Sequence, residues 1–556
     1  MIGNVLLAFL AVPLTARAAP TEGKGWHFVQ NGTTGIVALE SIIVSDTLAL
    51  LFDRATNNPL QIDGHPAWGA LWNLETNTAS PLNVTTDAFC ATGSFLSNGT
   101  MVSIGGHRPA IPEAEDGRNG LRIWEPCDDP NGEGCILFED PETLHMAETR
   151  WYATSLRIFD GSIMIIGGVH QRTPFNNDDP VNNLEFFPPK DGGIPRPLDL
   201  LERTLPANLF PRSFALPDGK IFMAAANQTI IYDFEANTET RLPDIPNNVR
   251  ITNPLDGTAT LLPLHPPDYI PEILICGGTN TSDQLPVEEL SSQTPASDQC
   301  SRMTLTPEGI ERGWEIERML EPRMMPEMIL MPNGEIVIIN GAQSGYAAFA
   351  GVKDPVGNSN ADHPAFTPSI YTPDAPLGQR ISNAGMPTTD IARVYHSTVT
   401  LTQKGNLLIA GSSPNPVVVN DTQYPSEFRV EYLNPPYMTV ERPQLSNVPK
   451  QIAFNSQFSV DVSIPSRLTQ GDLKVALMDL GFSSHAFHSS SRLVFMDAQL
   501  SEDGKTLSIK SPPNNRVYPP GPAYIFLTVG DVSSPGARVM VGNGATPPVE
   551  DQGVPI

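Results

Sequence analysis

Six segments of this 556-residue chain repeat one pattern: an apolar strand, a polar turn (carrying Gly in five of the six), a second apolar strand, then small residues. They read FCATGSFLSNGTMVSIGG (89–106), YATSLRIFDGSIMIIGG (152–168), SFALPDGKIFMAAA (213–226), GTATLLPLHPPDYIPEILICGG (257–278), MMPEMILMPNGEIVIINGA (324–342) and YHSTVTLTQKGNLLIAG (395–411). An earlier, degenerate copy is GIVALESIIVSDTLALLFDR (35–54). The turns SNG, DG, NG and KG supply the positive φ that tight hairpins require. No stretch shows long helical periodicity.

Taking the last small residue as a marker, the unit ends at 106, 168, 226, 278, 341 and 411, so the spacing is 62, 58, 52, 63 and 70 residues. A minimal kelch blade takes about 50 residues, which leaves room here for long loops. Seven copies of a four-stranded unit predict an all-β fold, a seven-bladed kelch-type β-propeller. The irregular spacing argues against a solenoid. The terminal Gly pairs would let neighbouring strands approach closely near the hub.

After EFRVEYLNPPYMTVERP (427–443) the grammar changes. The segments QFSVDVSI, LKVALMDL, SRLVFMDAQL, TLSIKS, YIFLTVGD and ARVMVG alternate apolar and polar residues, with turn signals between them. Six short strands in about 100 residues predict an immunoglobulin-like β-sandwich. The expected organisation is a propeller over 19–440 and a sandwich over 441–556.

Residues 1–18 read as a signal peptide. An apolar run from Val5 to Leu14 precedes Ala16-Arg17-Ala18, an A-x-A cleavage signature, and is too short to span a membrane. The expected location is extracellular. Six sequons, at Asn31, Asn83, Asn98, Asn227, Asn280 and Asn420, offer glycosylation acceptors to a secreted chain. A net charge of −27 disfavours nucleic acid and anionic membranes as partners, since both call for clustered Lys and Arg.

An exported chain meets oxidising conditions, and this one has five cysteines. Cys127 and Cys135 flank a tight polar loop, and Cys276 and Cys300 flank another polar segment, so two local disulfides are the economical pairing. Cys90 is left over, in the strand-like setting DAFCATGSFL. A buried inert thiol is one reading of it.

A propeller is a scaffold, and chemistry must come from particular side chains. The chain lacks G-x-S-x-G, H-E-x-x-H, a P-loop and a dinucleotide fingerprint. Glu142, His145 and Glu148 have metal-like spacing but lie in a charged connecting segment, where a solvated loop is the better reading. Tyr395 and His396 open the last repeat. Adjacent residues reach one centre only at a strand end, and their position meets that condition. His485 and His488, three apart, fall on opposite faces of a strand, so both should not bind one metal unless a hairpin tip carries one of them.

Cys90 in FCATG, Tyr152 in RWYAT, Tyr395-His396 in RVYHSTVTL and His485 in SSHAFHSSSRL resemble the ordered signature of the copper radical oxidases, which include galactose oxidase and glyoxal oxidase. INGAQSGYAAFAG (339–351), EFRVEYLNPPYM (427–438) and YPPGPAYIFLTVGD (518–531) resemble the glyoxal oxidase branch. The resemblance implies a thioether joining Cys90 to the Tyr152 ring, which would account for the odd cysteine. It further implies one copper ion held by Tyr152, His396 and His485, with Tyr395 axial and one position open for solvent or substrate.

In the family scheme Tyr395 takes the substrate proton, the cross-linked Tyr152 radical takes a hydrogen atom, and copper takes the remaining electron. Dioxygen then restores the site and leaves as hydrogen peroxide. The implied substrates are small aldehydes of the glyoxal or methylglyoxal type, with secreted peroxidases as consumers of the peroxide. A primary-alcohol oxidase on the same site and a catalytically silent kelch-type binding protein are the alternatives. Trp151 either shields the radical or points into the blade core. The resemblance also requires a loop of the sandwich, carrying His485, to reach the propeller channel.

Overall fold

Each repeated segment folds as a hairpin of buried strands, because its apolar residues have no solvent face. In the second copy of the unit, Thr92–Phe95 pairs with Met101–Ile104 around Gly99, whose φ of 90° the turn requires. Two further strands extend each hairpin into a four-stranded sheet. The computed structural model describes residues 25–171, 175–468 and 472–556; the expected leader over 1–18 lies outside them.

Seven such sheets form. Their innermost strands are Glu40–Ile43, Thr92–Phe95, Thr154–Arg157, Arg212–Ala215, Gly257–Leu261, Glu327–Leu330 and Ser397–Leu401. From Thr92–Phe95 onward these strands touch in succession, and Ser397–Leu401 returns to Glu40–Ile43. This is the ring of a seven-bladed propeller. Its last sheet takes its outermost strand, His27–Thr33, from the other end of the chain, paired with Arg429–Asn434.

The small pairs do sit where strands crowd. A Cβ on Gly277 would lie 2.4 Å from the Arg323 carbonyl oxygen, and one on Gly411 would lie 2.3 Å from that of Ala38. In both cases the obstacle is the backbone leading into the next blade.

A second repeated feature was hidden in the spacing. Arg150, Arg323 and Arg393 each stand two residues before Tyr152, Met325 and Tyr395. Each buried guanidinium donates to a carbonyl at the end of its blade's second strand: Gly167 at 2.8 Å, Asn340 at 2.8 Å and Gly411 at 2.6 Å. Arg150 and Arg393 also pair with Glu185 and Glu431. These arginines fix the segments from which the inward-facing residues project.

Beyond the propeller, two sheets pack as the sandwich. One holds Gln444–Ser446, Gln457–Ser463, Thr506–Lys510 and Ala498–Leu500; the other is built on Leu473–Asp479, Gly521–Val529, Ala537–Val541 and Arg492–Met496. The sequence suggested six strands. SRLVFMDAQL is in fact two strands in different sheets, with the switch at Asp497, and three-residue and two-residue strands add to the total. Among the described residues, no helix is long and apolar enough to cross a membrane.

One hairpin leaves the sandwich altogether. Phe482–Ser484 and Phe487–Ser489 run into the hub, where the first strand pairs with Glu40–Ile43 and the second lies against four other innermost strands. Its base is pinned by a buried ion pair, Arg157 to Asp479 at 2.6 Å.

Candidate metal centre

Cys90, Tyr152 and His396 stand just before the innermost strands of three blades, and His485 occupies the tip of the sandwich hairpin. All four have positive φ: 58°, 64°, 63° and 49°. A left-handed backbone is uncommon for residues with a Cβ and is held only where the surroundings enforce it. Here it breaks the alternation of the strand and turns each side chain toward the propeller axis. It also explains how adjacent residues face one centre, since the Tyr395 and His396 rings stack with centroids 3.7 Å apart.

The side chains converge closely. The Tyr152 and Tyr395 hydroxyl oxygens are 2.5 Å apart, and Cys90 Sγ is 3.6 Å from His396 Nε2. Cys90 Sγ and a ring nitrogen from each of His396 and His485 all lie within 4.8 Å of one another. The Cys90 thiol also interacts with the Tyr152 hydroxyl. Cys90 is buried and unpaired, while Cys127–Cys135 and Cys276–Cys300 are disulfides.

Both imidazoles are oriented from behind. His396 Nδ1–H donates to the Ser413 carbonyl at 3.0 Å, leaving the Nε2 lone pair facing the centre. His485 Nδ1 bonds the Ser484 hydroxyl at 2.8 Å, and its buried Nε2 has no hydrogen-bond partner. Burial pushes His396 down to about 3 and His485 well below the usual histidine range, so both rings are neutral donors. Burial likewise raises Tyr152, Tyr395 and Cys90 well above their ordinary values. A dry pocket of two neutral imidazoles and two phenols, with an orphaned nitrogen, is a donor set that fits Cu(II).

One polar network ties the Tyr395 side of this centre to the hairpin tip. Asn253 lies beside Tyr395 and donates to Asp256 at 3.0 Å. Arg212, fully buried, pairs with Asp256 at 3.0 Å and donates to the His485 carbonyl at 3.1 Å. Removing one partner of such a pair strands a buried charge. Arg212→Met is therefore expected to lower stability by about 3–5 kcal/mol in urea unfolding, and R212M/D256L to recover part of it. An R212M protein as stable as the parent would contradict the network.

Aromatic rings wall the site. Trp151 meets the Tyr152 ring edge-on at 4.5 Å and packs on His107 at 4.2 Å, which places it against the site rather than in the blade core. Phe210 stacks on His485 at 4.3 Å. The other candidate ligands lie elsewhere. His488 Nε2 bonds the Val399 carbonyl at 2.7 Å and lies 3.2 Å from Glu327. His145 bonds the Met146 carbonyl, and Glu148 lies near His170, so Glu142, His145 and Glu148 form no metal-binding group.

Two buried carboxylates support the Cys90 loop. Asp53 accepts from the Val37 and Arg54 amides, and Asp87 from those of Ala55 and Phe89. Burial raises Asp53 to about 8 and Asp87 to about 7, from an ordinary 3.8. Both folded values exceed the unfolded ones, so the native state retains protons that the unfolded chain releases. Their contribution is fully present below pH about 4 and is lost as pH rises towards 7–8. The unfolding temperature is expected to fall across this window, and less steeply in Asp87→Asn. Equal slopes would refute the assignment.

Sequence reasoning missed Arg212, Asp256 and Asn253. For Arg212 and Asp256 the only signal is a charge next to a repeat boundary; Asn253 has none. The assembly is a propeller whose centre is completed by a second domain, and comparison with known proteins places it. The family model described as glyoxal oxidase N-terminus matches residues 53–437, and that described as galactose oxidase-like, Early set domain matches 442–541. The chain belongs to the glyoxal oxidase family.

Aldehyde oxidase GLOX of Vitis pseudoreticulata is 30% identical over 473 residues, covering 83% of each chain. Aldehyde oxidase GLOX1 of Arabidopsis thaliana is 29% identical, covering 85% of this chain and 75% of its own. A solved fungal alcohol oxidase of the AA5 family, in complex with copper, shares the fold with a TM-score of 0.69. It is 16% identical and is matched over 94% of this chain and all of its own.

Proposed function

We propose that this chain is a secreted copper radical oxidase that converts small aldehydes to carboxylic acids and reduces dioxygen to hydrogen peroxide. The observation that carries the reading is the convergence of Cys90, Tyr152, Tyr395, His396 and His485 from three blades and the sandwich. Family membership supports it, and the two plant relatives bear the name aldehyde oxidase. Export is supported by the leader-like terminus, the sequons and the two disulfides.

The residues that would hold copper are His396 Nε2, His485 Nε2 and the oxygens of Tyr152 and Tyr395. Copper bound there supplies one single-electron acceptor and acidifies a substrate hydroxyl. The chain would supply the second acceptor, the one-electron-oxidised (phenoxyl) form of a Tyr152 ring joined to Cys90. Burial raises Tyr395 well above its ordinary value, so once ionised its oxygen would be a basic proton acceptor. Ser413 and Ser484 hold the two imidazoles in place, and Trp151 and Phe210 exclude water from the ring of Tyr152.

The balanced reaction takes the aldehyde hydrate: RCH(OH)2 + O2 gives RCOOH + H2O2. Secreted peroxidases are natural consumers of that product. The test is peroxide release by copper-loaded protein on methylglyoxal, glycerol and galactose in parallel. Methylglyoxal should be turned over well ahead of the other two. Comparable turnover of an alcohol would make this a primary-alcohol oxidase, and none on any substrate would make it a binding propeller.

A further inference from the structure

A hairpin inserted between the second and third strands of the sixth blade, Ala342–Phe349 and Ser359–Pro364, forms a strap over the site. It is secured on both sides. Towards the fifth blade, the Gly345 amide donates to the Thr294 carbonyl at 2.8 Å and the Ala347 amide to that of Pro254 at 3.0 Å. Towards the seventh, Asn358 donates to Asn415 at 3.0 Å, and the Tyr424 hydroxyl bonds Asp362.

Phe349 ends the first strand of this strap, and its backbone is unusual. The pairing register breaks between Gly345 and Phe349, and the alanines on either side, Ala348 and Ala350, have φ of 66° and 39°. Irregularities of this kind re-aim a side chain, and strained backbone persists where the surroundings impose it. The Phe349 ring packs on the cluster that contains Cys90, Trp151, Tyr152 and Phe210. It also packs on the strap's own cluster with Tyr346 and Tyr395. Among the described residues it is the one partly buried hydrophobic side chain packed on both clusters, and it stays partly exposed where Tyr152 and Tyr395 are buried.

We infer that Phe349 is a specificity-determining residue: held over the site by the strap, it limits the bulk of the group attached to the reacting aldehyde carbon. The inference rests on the proposed oxidase reading and adds a substrate class, aldehydes with a small unbranched substituent. A flat aromatic wall on a doubly anchored strap does not yield to a branched group. No charged side chain is needed for the discrimination.

The test compares wild type with F349A, F349L and F349W, each copper-loaded and matched for copper content and unfolding temperature. The substrates are methylglyoxal and tert-butylglyoxal, which differ only in the bulk beside the same aldehyde. F349A should raise the tert-butylglyoxal to methylglyoxal ratio of kcat/KM by about tenfold, chiefly through KM. F349L should give an intermediate ratio and F349W a lower one than wild type. Ratios unchanged across F349L and F349W would overturn the inference while leaving the oxidase reading intact. A wild type inactive on every aldehyde would overturn both.

Discussion

Full reduction and alkylation of copper-matured protein should label four cysteines and leave Cys90 bare. Reductants open Cys127–Cys135 and Cys276–Cys300 by thiol exchange, a route that a carbon–sulfur bond does not offer. Peptide mass spectrometry should then find the Cys90 and Tyr152 peptides joined, two hydrogens lighter than their sum. The packing favours this bond: the thiol is buried, interacts with the Tyr152 hydroxyl and shares a cluster with that ring. Cys90→Ser changes one small side chain and should fold. Its kcat should fall by at least about 100-fold, because losing the sulfur substituent makes the Tyr152 phenol harder to oxidise; that is about 2.7 kcal/mol of barrier. A labelled, unlinked Cys90 in fully active enzyme would remove the thioether from the mechanism.

His485→Ala should abolish copper retention on dialysis while the propeller remains folded. The side chain sits at a hairpin tip, outside the blade cores, so its loss deletes a ligand and leaves the hub strands paired. His488→Ala is the matched control. His488 faces Val399 and Glu327 rather than the centre, so this variant should lose some stability and keep its metal. Equal copper loss in the two variants would show that the hairpin, and not the His485 ring, is what matters.

Much of the fold was legible because it repeats. Seven turn-linked pairs of short apolar runs, five with Gly in the turn, admit few architectures, and the sheets follow that count. The sandwich was read less well, since SRLVFMDAQL offers no Gly or Pro where it changes sheets. The structure brings Cys90, Tyr152, Tyr395, His396 and His485 together, and the sequence hinted at four of them without any resemblance. Cys90 stood out by arithmetic, Tyr395 and His396 by lying at a strand opening, and His485 as one of two histidines of which a hairpin tip could present one. What sequence spacing did not reveal is longer-range: Arg212, Asn253 and Asp256 matter through Tyr395 and the His485 carbonyl, each far away in the chain. Positive φ at residues with side chains was equally invisible, because no local motif announces it.

The hairpin carrying His485 has a meaning in time as well as in space. Chains are made from the amino terminus, so Cys90 and Tyr152 leave the ribosome long before the strand that completes their hub. A nascent propeller therefore holds the thiol and the phenol without the second imidazole. If His485 is the copper ligand proposed above, maturation waits for the last domain, and a chain cut short before it is a propeller with an incomplete ligand set. On that proposal, a ligand placed late makes completion of the polypeptide a licence for oxidative chemistry.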